Sequence, residues 1–428
     1  MKLFNAFVII AFVMLGLAAL GIIATFSGRS GEAVGKVEIW GPLPANVINE
    51  HIGEVAINRV DFGDVRYTKK NETTFVEDLV EAIAANKGPD LVVFPAEYLY
   101  LHADKLVTIP FSSISRRSFQ DTYIEAGEIL VEPDGVKGLP YMVDPLVLYW
   151  NRTLFSAASI ARPPRSWDEV SENVPALTKA NQEGSLTQSA IALGEWDNVR
   201  HAKEILLSIL RQLGNTVVSH EENKISVTFA DARSNSVSSA ESTLRYYTEF
   251  ADPVKSVYSW NRSQPDSYDA FVAGKVAMYI GYASELQSIR QTNPNLNFDV
   301  APLPVARGGT SSVAAKMYVL SVPRGVKNSN GAFLTAFLLS GGEAQISLQN
   351  LTGLPPVRRD LLTTSPDDPY AGIFRDAALS AFVFLDPNPT QTDTIFRNLV
   401  ENITSGRLRT ADAVKAAEGE LHTLLKVR

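Results

Sequence analysis

The stretch Gly138–Glu169, GLPYMVDPLVLYWNRTLFSAASIARPPRSWDE, organises the rest of the chain. A proline-containing turn leads into an apolar run from Met142 to Trp150, which predicts a buried strand. The run contains one carboxylate, Asp144, and a buried carboxylate costs free energy unless a partner compensates it. Asp144 is therefore the first candidate for a functional residue. The alternative is a structural aspartate at a bend, capped by backbone N–H groups.

The residues before this stretch alternate between strand and helix patterns. Short apolar or alternating runs predict strands, and apolar residues at helical spacing predict the helices between them. The predicted strands are Lys36–Trp40, Phe62–Thr68 and Leu91–Phe94, and the predicted helices are Ala45–Ala56 and Thr74–Asn86. After the stretch, Ser166 and Glu169 form a capping-box pattern that predicts the start of a helix. The β-α-β-α-β order of the first hundred residues is typical of an α/β layer fold.

Side chains that follow the predicted strands are candidates for ligand contact. In open α/β sheets, ligands bind beyond the carboxyl ends of the strands. Trp40 ends the first strand, Glu97 and Tyr98 follow the third, and Trp196 follows a short strand at Ser189–Leu193. Two alternatives stay open: Trp40 belongs to the core, or Glu97 caps the helix after it.

Composition excludes several classes of protein. The chain has 428 residues, a formal net charge of -8 and no cysteine. Its length suggests two or three domains, and its acidity argues against a nucleic-acid binder, which carries a basic patch. Without cysteine there is no disulfide, thiolate nucleophile or cysteine-based zinc site. No phosphate-loop, dinucleotide or metalloprotease motif occurs, so the sequence predicts no cofactor, no metal and no catalytic residue.

The N-terminal segment Ala6–Phe26 predicts a membrane-spanning helix. It is apolar or small throughout and carries no charge, and at about 1.5 Å per residue it spans roughly the hydrocarbon thickness of a bilayer. A secretory signal has a shorter apolar core and a clear cleavage site. We therefore expect an uncleaved signal anchor with the remaining chain outside the cytoplasm. The alternative is a secreted protein whose signal peptide is removed.

Several pieces of the chain, taken in order, resemble one protein family. The pieces are GPDLVVF, GLPYMVDPLVLYWNRTLF, PPRSWDEV, FVAGKVAMYIGYASEL, PLPV, GVKNSNGAFLTAFLLS and TGLPPVRRDLL. Together they cover nearly everything after Lys36 and resemble the extracellular solute-binding proteins of carbohydrate-type ABC transporters, the maltose-binding-like group called family 1. Each piece is a weak signal by itself, and their joint order carries the resemblance.

The resemblance implies a periplasmic-binding-protein-like α/β fold with two lobes and several hinge crossings, preceded here by the transmembrane helix. The implied division gives residues 1–35 to the anchor and linker. Residues 36–143 plus 275–318 form the first lobe, and residues 144–274 plus 319–428 form the second. This discontinuous arrangement accounts for a group of predicted strands that returns late in the chain.

The resemblance also implies a function and a set of ligand-binding positions. The function is the capture of a sugar or oligosaccharide in the inter-lobe cleft by hinge closure, and its delivery to ABC permease subunits without catalysis. The positions lie in the ligand loops, at the hinge and along the cleft: Trp40, Phe94, Glu97, Tyr98, Asp144, Trp196, Tyr282 and Ser284.

Two departures from the family pattern leave questions open. The usual lipid-anchoring cysteine is missing, and we interpret the apolar N-terminal helix as its substitute. The segment YIGYASEL lacks a tryptophan that many relatives carry, which leaves the ring-stacking partner undefined. Two further alternatives remain: a non-sugar ligand, such as a polyamine, metal chelate, phosphorylated compound or peptide, and a glycan hydrolase.

Overall fold

A computed structural model describes residues 34–57, 59, 62–221, 224–230, 238–363 and 369–426. The predicted membrane-spanning segment Ala6–Phe26 lies outside these residues. Among the residues described, no helix is both long enough and apolar enough to cross a bilayer.

Strands and helices alternate along the described chain. The strands are β1 Lys36–Gly41, β2 Asp64–Lys69, β3 Leu91–Pro95, β4 Ile109–Pro110, β5 Gly135–Val136, β6 Leu139–Asn151, β7 Lys179–Ala180, β8 Leu186–Ile191, β9 Val218–Glu221, β10 Lys224–Val227, β11 Val276–Tyr282, β12 Phe298–Ala301, β13 Val313–Ser321 and β14 Ala381–Phe382. The α-helices are α1 Ala45–Ala56, α2 Phe75–Ala84, α3 Leu99–His102, α4 Arg116–Thr122, α5 Arg152–Ala157, α6 Trp167–Leu177, α7 Ala202–Gln212, α8 Ser239–Glu249, α9 Ser267–Val272, α10 Glu285–Thr292, α11 Ser329–Leu339, α12 Gly342–Thr352, α13 Arg359–Leu362, α14 Pro369–Leu379, α15 Pro389–Thr404 and α16 Thr410–Lys426.

One large sheet runs through the molecule in the order β2-β1-β3-β13-β6-β11-β8-β7, with β12 paired along β6 and β14 along β13. The strands β2, β1 and β3 are parallel, as the β-α-β-α-β pattern predicts. The strand β13 enters antiparallel between β3 and β6. The long strand β6 therefore lies at the middle of the sheet.

The two halves of strand β6 pair with different strands. Its first half, Leu139–Pro145, pairs with β13, whereas Leu146–Trp150 pairs with β11. On the other side of its second half lies β12. The change of partner falls at Asp144–Leu146, so the chain passes there from one half of the fold to the other.

Apolar packing explains why β6 is central. All of its residues are buried except Trp150, which is half-buried. The ring of Tyr149 lies 6.0 to 6.3 Å from the rings of Phe271, Tyr279 and Phe298, and its hydroxyl donates to the carbonyl oxygen of Tyr282 at 2.7 Å. These contacts fasten β6 to β11 and β12 and form the core of the second half.

The opening stretch has the predicted elements with shifted bounds. The strand is longer than the predicted run, because pairing with β13 begins at Leu139. The hydroxyl of Ser166 accepts a hydrogen bond from the Glu169 amide at 3.2 Å, as the capping pattern predicts. The carboxylate of Glu169 does not return to Ser166. It accepts from the Arg165 amide at 2.9 Å and pairs with Arg162 at 2.8 Å instead.

The strand pairings differ from the predicted division into lobes. Strands β11 and β12 pair with the second half of β6, whereas the division puts residues 275–318 in the first lobe. Residues Val319–Ser321 pair with β3, and helix α11 packs against β1 and β3, whereas the division puts residues 319–428 in the second lobe. Local patterns carry no information on these pairings, because the partners are far apart in the chain.

Candidate functional site

Asp144 lies where β6 changes partners. It is buried, with 7% of its surface exposed, and its Oδ1 accepts a hydrogen bond from the backbone N–H of Ser284 at 3.0 Å. The pKa of Asp144 is raised to about 6, mainly by burial. The hydrogen bonds from Ser284 and the charge of Lys316 act against this increase, and the charge of Glu285 adds to it. The backbone N–H of Ser284 therefore caps Asp144, as the structural alternative predicts. This hydrogen bond does not fully compensate the cost of burying the ionised carboxylate, because the pKa stays raised.

Lys316 lies directly opposite Asp144 in the register of β13 against β6. Its ammonium group is 5.0 Å from the centroid of the Tyr282 ring and 4.0 Å from Oε1 of Glu72. A cation over a ring face is attracted by the ring's negative centre. Lys316 thus lies opposite Asp144 of β6, with Tyr282 of β11 on one side and the loop before α2 on the other.

A cavity of about 190 Å³ opens beside Lys316. It is lined by residues of the loop before α2, of the end of β3 and the turn after it, of β13 and of the segment after β14: Glu72, Thr73, Pro95, Glu97, Tyr98, Ala315, Lys316, Met317, Tyr318 and Val383. The predicted loop residues Glu97 and Tyr98 therefore share a cavity with four residues of β13. We define the crossing cluster as four of these lining residues, Glu97, Tyr98, Lys316 and Tyr318, together with Asp144 and Tyr282, which lie next to Lys316.

Glu97 and Tyr98 lie in a 3₁₀ turn, Ala96–Tyr98, that follows β3. Neither this turn nor helix α3 has a side-chain cap, so the structure does not support Glu97 as a helix cap. Burial raises the pKa of Glu97; Lys316 opposes the increase and Glu204 adds to it. Burial, together with the charge of Glu97, raises the pKa of Tyr98 to about 12. A carboxylate and a phenol in such surroundings are suited to hydrogen bonding with a polar ligand.

Tyr282 is held from the other side of the cluster. Its ring meets the His201 ring edge-on, with the centroids 4.5 Å apart. Glu285 pairs with His201 and accepts hydrogen bonds from the Tyr279 hydroxyl at 2.6 Å and the Tyr282 amide at 3.1 Å. Burial opposes ionisation of Glu285, but these hydrogen bonds outweigh it and lower the pKa of its carboxyl. The network fixes the orientation of Tyr282.

A buried ion pair lies next to the cluster. Nζ of Lys203 is 2.6 Å from a carboxylate oxygen of Asp386 and 3.0 Å from the Thr392 hydroxyl, and Asp386 is only 1% exposed. Burial favours the neutral amine, but the charge of Asp386 outweighs it and raises the pKa of Lys203. The pair ties α7 to the segment between β14 and α15.

Four predicted ligand residues lie outside the crossing cluster. Phe94 is fully buried opposite Val319, and its side chain has no exposed surface with which to contact a ligand. The indole of Trp40 donates to Glu38 at 2.7 Å and lies 3.4 Å beneath Nζ of Lys70. Trp196 is 7% exposed and packs in the core after β8. Ser284 is exposed and contributes its backbone N–H to Asp144.

Sequence reasoning missed several charged residues of this region: His201, Lys203, Glu204, Glu285, Lys316 and Asp386. Lys316 left a signal, since it is the one charged residue in the strand VAAKMYVLS, as Asp144 is in its own strand. No sequence pattern indicates that His201 and Glu285 interact, because 84 positions separate them. Among the described residues no group of three or more potential ligands could hold a metal ion.

Comparisons with known proteins place the chain in a family. The family described as bacterial extracellular solute-binding protein matches residues 59–372. Binding proteins of Brucella abortus (strain 2308) and Brucella suis biovar 1 (strain 1330) are each 20% identical over 365 residues, which cover 82% of this chain and 83% of theirs.

Solved structures share the fold over most of the chain. A cyclo/maltodextrin-binding protein complexed with maltotetraose superposes with a TM-score of 0.74 at 17% identity, over 92% of this chain and 98% of that one. The cyclic alpha-maltosyl-1,6-maltose binding protein from Arthrobacter globiformis superposes with a TM-score of 0.75 at 16% identity, over 92% and 99%. The two-lobed α/β fold and the resemblance predicted from the sequence are confirmed, and the chain belongs to the bacterial extracellular solute-binding protein family.

Proposed function

We propose that this protein is the substrate-binding component of an ABC import system and captures a sugar or oligosaccharide at the crossing cluster. The observation that carries the proposal is the cavity in which Glu97, Tyr98, Lys316 and Tyr318 meet, next to the point where β6 changes partners. The structural relatives that bind maltotetraose and cyclic maltosyl-maltose have the same fold. No catalytic role is assigned, because the family is one of binding proteins.

The chemistry of the cluster suits a carbohydrate. A sugar presents apolar C–H faces and a rim of hydroxyls that both donate and accept hydrogen bonds. The tyrosines supply flat apolar area with a polar tip, the carboxylates accept from hydroxyls, and Lys316 donates to them. A hydrogen bond with one charged partner contributes about 1.5–3 kcal/mol. Of the eight predicted ligand residues, we keep Glu97, Tyr98, Asp144 and Tyr282 as ligand or hinge residues.

Hinge closure follows from the strand crossings. We divide the chain into a first lobe of residues 36–145 plus 315–363 and a second of residues 146–301 plus 369–426, in line with the strand pairings. A ligand that shifts the lobes from 1:99 to 99:1 closed must bind the closed form more tightly by about 5.5 kcal/mol. Crystal structures with and without ligand test the division, and rotation about any other boundary would contradict it.

The location of the protein rests on its family and on its N-terminal segment. The family is extracellular, and the apolar residues Ala6–Phe26 act as a single-pass anchor that keeps the binding lobes near the permease subunits. Cell fractionation followed by mass spectrometry of the intact chain tests the anchor. A released protein that begins near residue 30 would establish signal-peptide cleavage instead.

Calorimetric titration of the full-length chain tests the carbohydrate proposal. The chain is kept in a detergent without a sugar headgroup, so that the detergent does not compete, and is titrated with maltotriose, mannobiose and spermidine. We expect saturable binding of at least one sugar, and weaker binding for Tyr98→Ala. The matched control is Glu172→Gln on the exposed face of α6. Binding of spermidine without binding of any mono- or oligosaccharide would establish the non-sugar alternative.

A further inference from the structure

Helix α11 of the first lobe is apolar on two opposite faces. Its inner face, which includes Ala332, Ala336 and Leu339, is buried, and the helix packs against β1 and β3. A helix at the surface of a soluble domain normally carries polar and charged residues on its outer face. The outer face of α11 instead consists of four large apolar side chains that are only half-buried: Phe333, Leu334, Phe337 and Leu338.

An apolar groove of about 580 Å³ runs beside this outer face. Phe333, Leu334 and Phe337 line it from α11, and Ile109 and Pro110 of β4 line it from the other side. None of the described residues that line the groove is charged. Burying a charged group without a partner is costly, so the groove suits an apolar occupant.

A second groove, of about 440 Å³, meets the apolar groove at Asn328, which lines both. It contains two carboxylates, and both accept hydrogen bonds: Glu38 from the Trp40 indole at 2.7 Å and Asp90 from the Glu38 amide at 3.1 Å. Its cations outnumber them, although the whole chain has a net charge of -8. Four exposed cations line this basic groove, and no ion pair engages them among the described residues: Lys36, Lys87, Arg324 and Lys327.

The described chain begins where the two grooves meet. The side-chain amide of Asn328 donates to the carbonyl oxygens of Val34 at 2.9 Å and Lys36 at 3.1 Å. Gly331 permits this close approach, because a Cβ atom there would collide with the carbonyl oxygen of Val34. Val34 is therefore fastened to the first turn of α11.

The distance to the proposed anchor is short. Eight residue steps separate Val34 from Phe26, the last residue of the apolar segment, and even a fully extended chain covers at most about 28 Å in eight steps. A globular chain of this length has a radius of gyration of about 22 Å. The tether is thus long enough for the α11 side of the first lobe to reach the bilayer, and too short to let the far side of the molecule face it.

We propose that the outer face of α11 and the basic groove beside it form a contact surface for the lipid bilayer. The apolar side chains of α11 enter the headgroup region, and the four cations of the basic groove bind anionic headgroups. An apolar helix face bordered by lysine and arginine is the combination that binds the surface of an anionic membrane. The inference rests on the proposed membrane anchor and adds that the first lobe is held against the bilayer, so that hinge closure moves the second lobe.

A single fluorescent label tests the contact on the full-length chain. The chain has no cysteine, so Leu334→Cys and Phe337→Cys each create one labelling site on the proposed surface. The matched control is Val254→Cys in the second lobe, where Val254 is 89% exposed. Each protein is labelled with bimane and reconstituted in vesicles of equimolar phosphatidylcholine and phosphatidylglycerol, with or without bromine on the acyl chains. Because an interfacial helix lies at the boundary of headgroups and acyl chains, bromine should remove about half of the emission at either α11 site and about a tenth or less at the control.

Charge reversal tests the basic groove. Lys87→Glu combined with Lys327→Glu in the Leu334→Cys protein should reduce quenching by bromine about threefold, because the groove then repels anionic headgroups. Lys179→Glu combined with Lys415→Glu changes the net charge equally at two exposed lysines of the second lobe and should leave the quenching unchanged. Added salt should weaken the contact of the unaltered groove, and thermal melts establish that all variants are folded.

The outcomes separate this inference from the proposals on which it rests. Protein that floats with the vesicles but is quenched equally at residues 334 and 254 overturns the bilayer contact and leaves the anchor and sugar capture standing. A label at residue 334 that responds only to added permease subunits, or that shows energy transfer between labelled copies, assigns the face to a protein partner and likewise overturns the inference. Protein that does not float with the vesicles overturns the anchor and the bilayer contact together, whereas sugar titration of the same samples tests the binding function independently.

Discussion

Substitution of Asp144 by asparagine is expected to stabilise the unliganded protein while it weakens ligand binding. The folded-state pKa of Asp144 is about 6, against an ordinary value of 3.8. The folded protein therefore holds this proton more tightly than the unfolded chain. Its contribution to stability is complete below about pH 3.8 and is lost as the pH rises through 6. At about 1.4 kcal/mol per pKa unit, the ionised carboxylate lowers the free energy of unfolding by about 3 kcal/mol at pH 8.

Asparagine removes the charge and keeps an oxygen that accepts from the Ser284 amide. The loss of the charge-assisted character of that bond reduces the gain, so we expect Asp144→Asn to raise the free energy of unfolding by about 1–3 kcal/mol at pH 8. At pH 4 the gain should shrink towards zero, because the native aspartate is then protonated. Urea unfolding at the two pH values measures the difference, with Glu172→Gln as the exposed control.

Ligand titration of the same variant completes the test. A charged acceptor at the crossing contributes more to ligand binding than a neutral one, so the affinity for the bound sugar should fall about tenfold. Loss of stability at pH 8 would refute the reasoning and establish Asp144 as a structural cap for Ser284. Unchanged stability with unchanged affinity would likewise remove Asp144 from the proposed site.

Three further substitutions probe the surrounding charges. Lys316→Met keeps the aliphatic stem and removes the ammonium group, so calorimetry should show about tenfold weaker ligand binding with the fold intact; equal affinity would exclude Lys316 from the site. Lys203→Met leaves Asp386 buried without its cation and should lower the free energy of unfolding by about 3–5 kcal/mol in urea titrations, and a second change, Asp386→Leu, should recover most of the loss. His51 is fully buried, and burial lowers its pKa to about 4, against an opposing effect of Glu54. Its neutral form therefore stabilises the fold fully above pH 6.5, and this contribution of about 3 kcal/mol is lost as the pH falls towards 4. His51→Leu should remove that part of the acid sensitivity, and an unchanged pH profile of unfolding would contradict the prediction.

The stretch Gly138–Glu169 shows which structural features local sequence patterns predict. The apolar run around Asp144 predicts a buried strand, and Ser166 predicts the start of the following helix; both are present, with bounds shifted by a few residues. Tyr98 and Glu97 were predicted from their position after a parallel strand, and they line the cavity. These features could be predicted because each depends on residues that are close in the sequence. This holds for strand and helix periodicity, for turn residues and for the rule that ligands bind at the carboxyl ends of strands.

Phe94 and Trp40 show what sequence patterns do not reveal about the surroundings of a side chain. Phe94 lies near the end of β3, before the turn that holds Glu97 and Tyr98, and it is fully buried where β3 pairs with Val319 of β13. Trp40 lies at a strand end as predicted, yet its polar contacts are Glu38 and Lys70. The direction of a side chain at a strand end depends on the partner strand and on the layers above and below it.

The amino-acid sequence by itself determined the α/β class, the family and the buried strand that contains Asp144, because these follow from periodicity and from short motifs in a fixed order. Only the tertiary structure decided what surrounds that carboxylate. The amide of Ser284 is 140 positions away, and Lys316 reaches it through the register of β13 against β6. Whether a buried charge is compensated depends on groups that chain folding brings within a few ångströms, and that distance is not encoded in any local pattern.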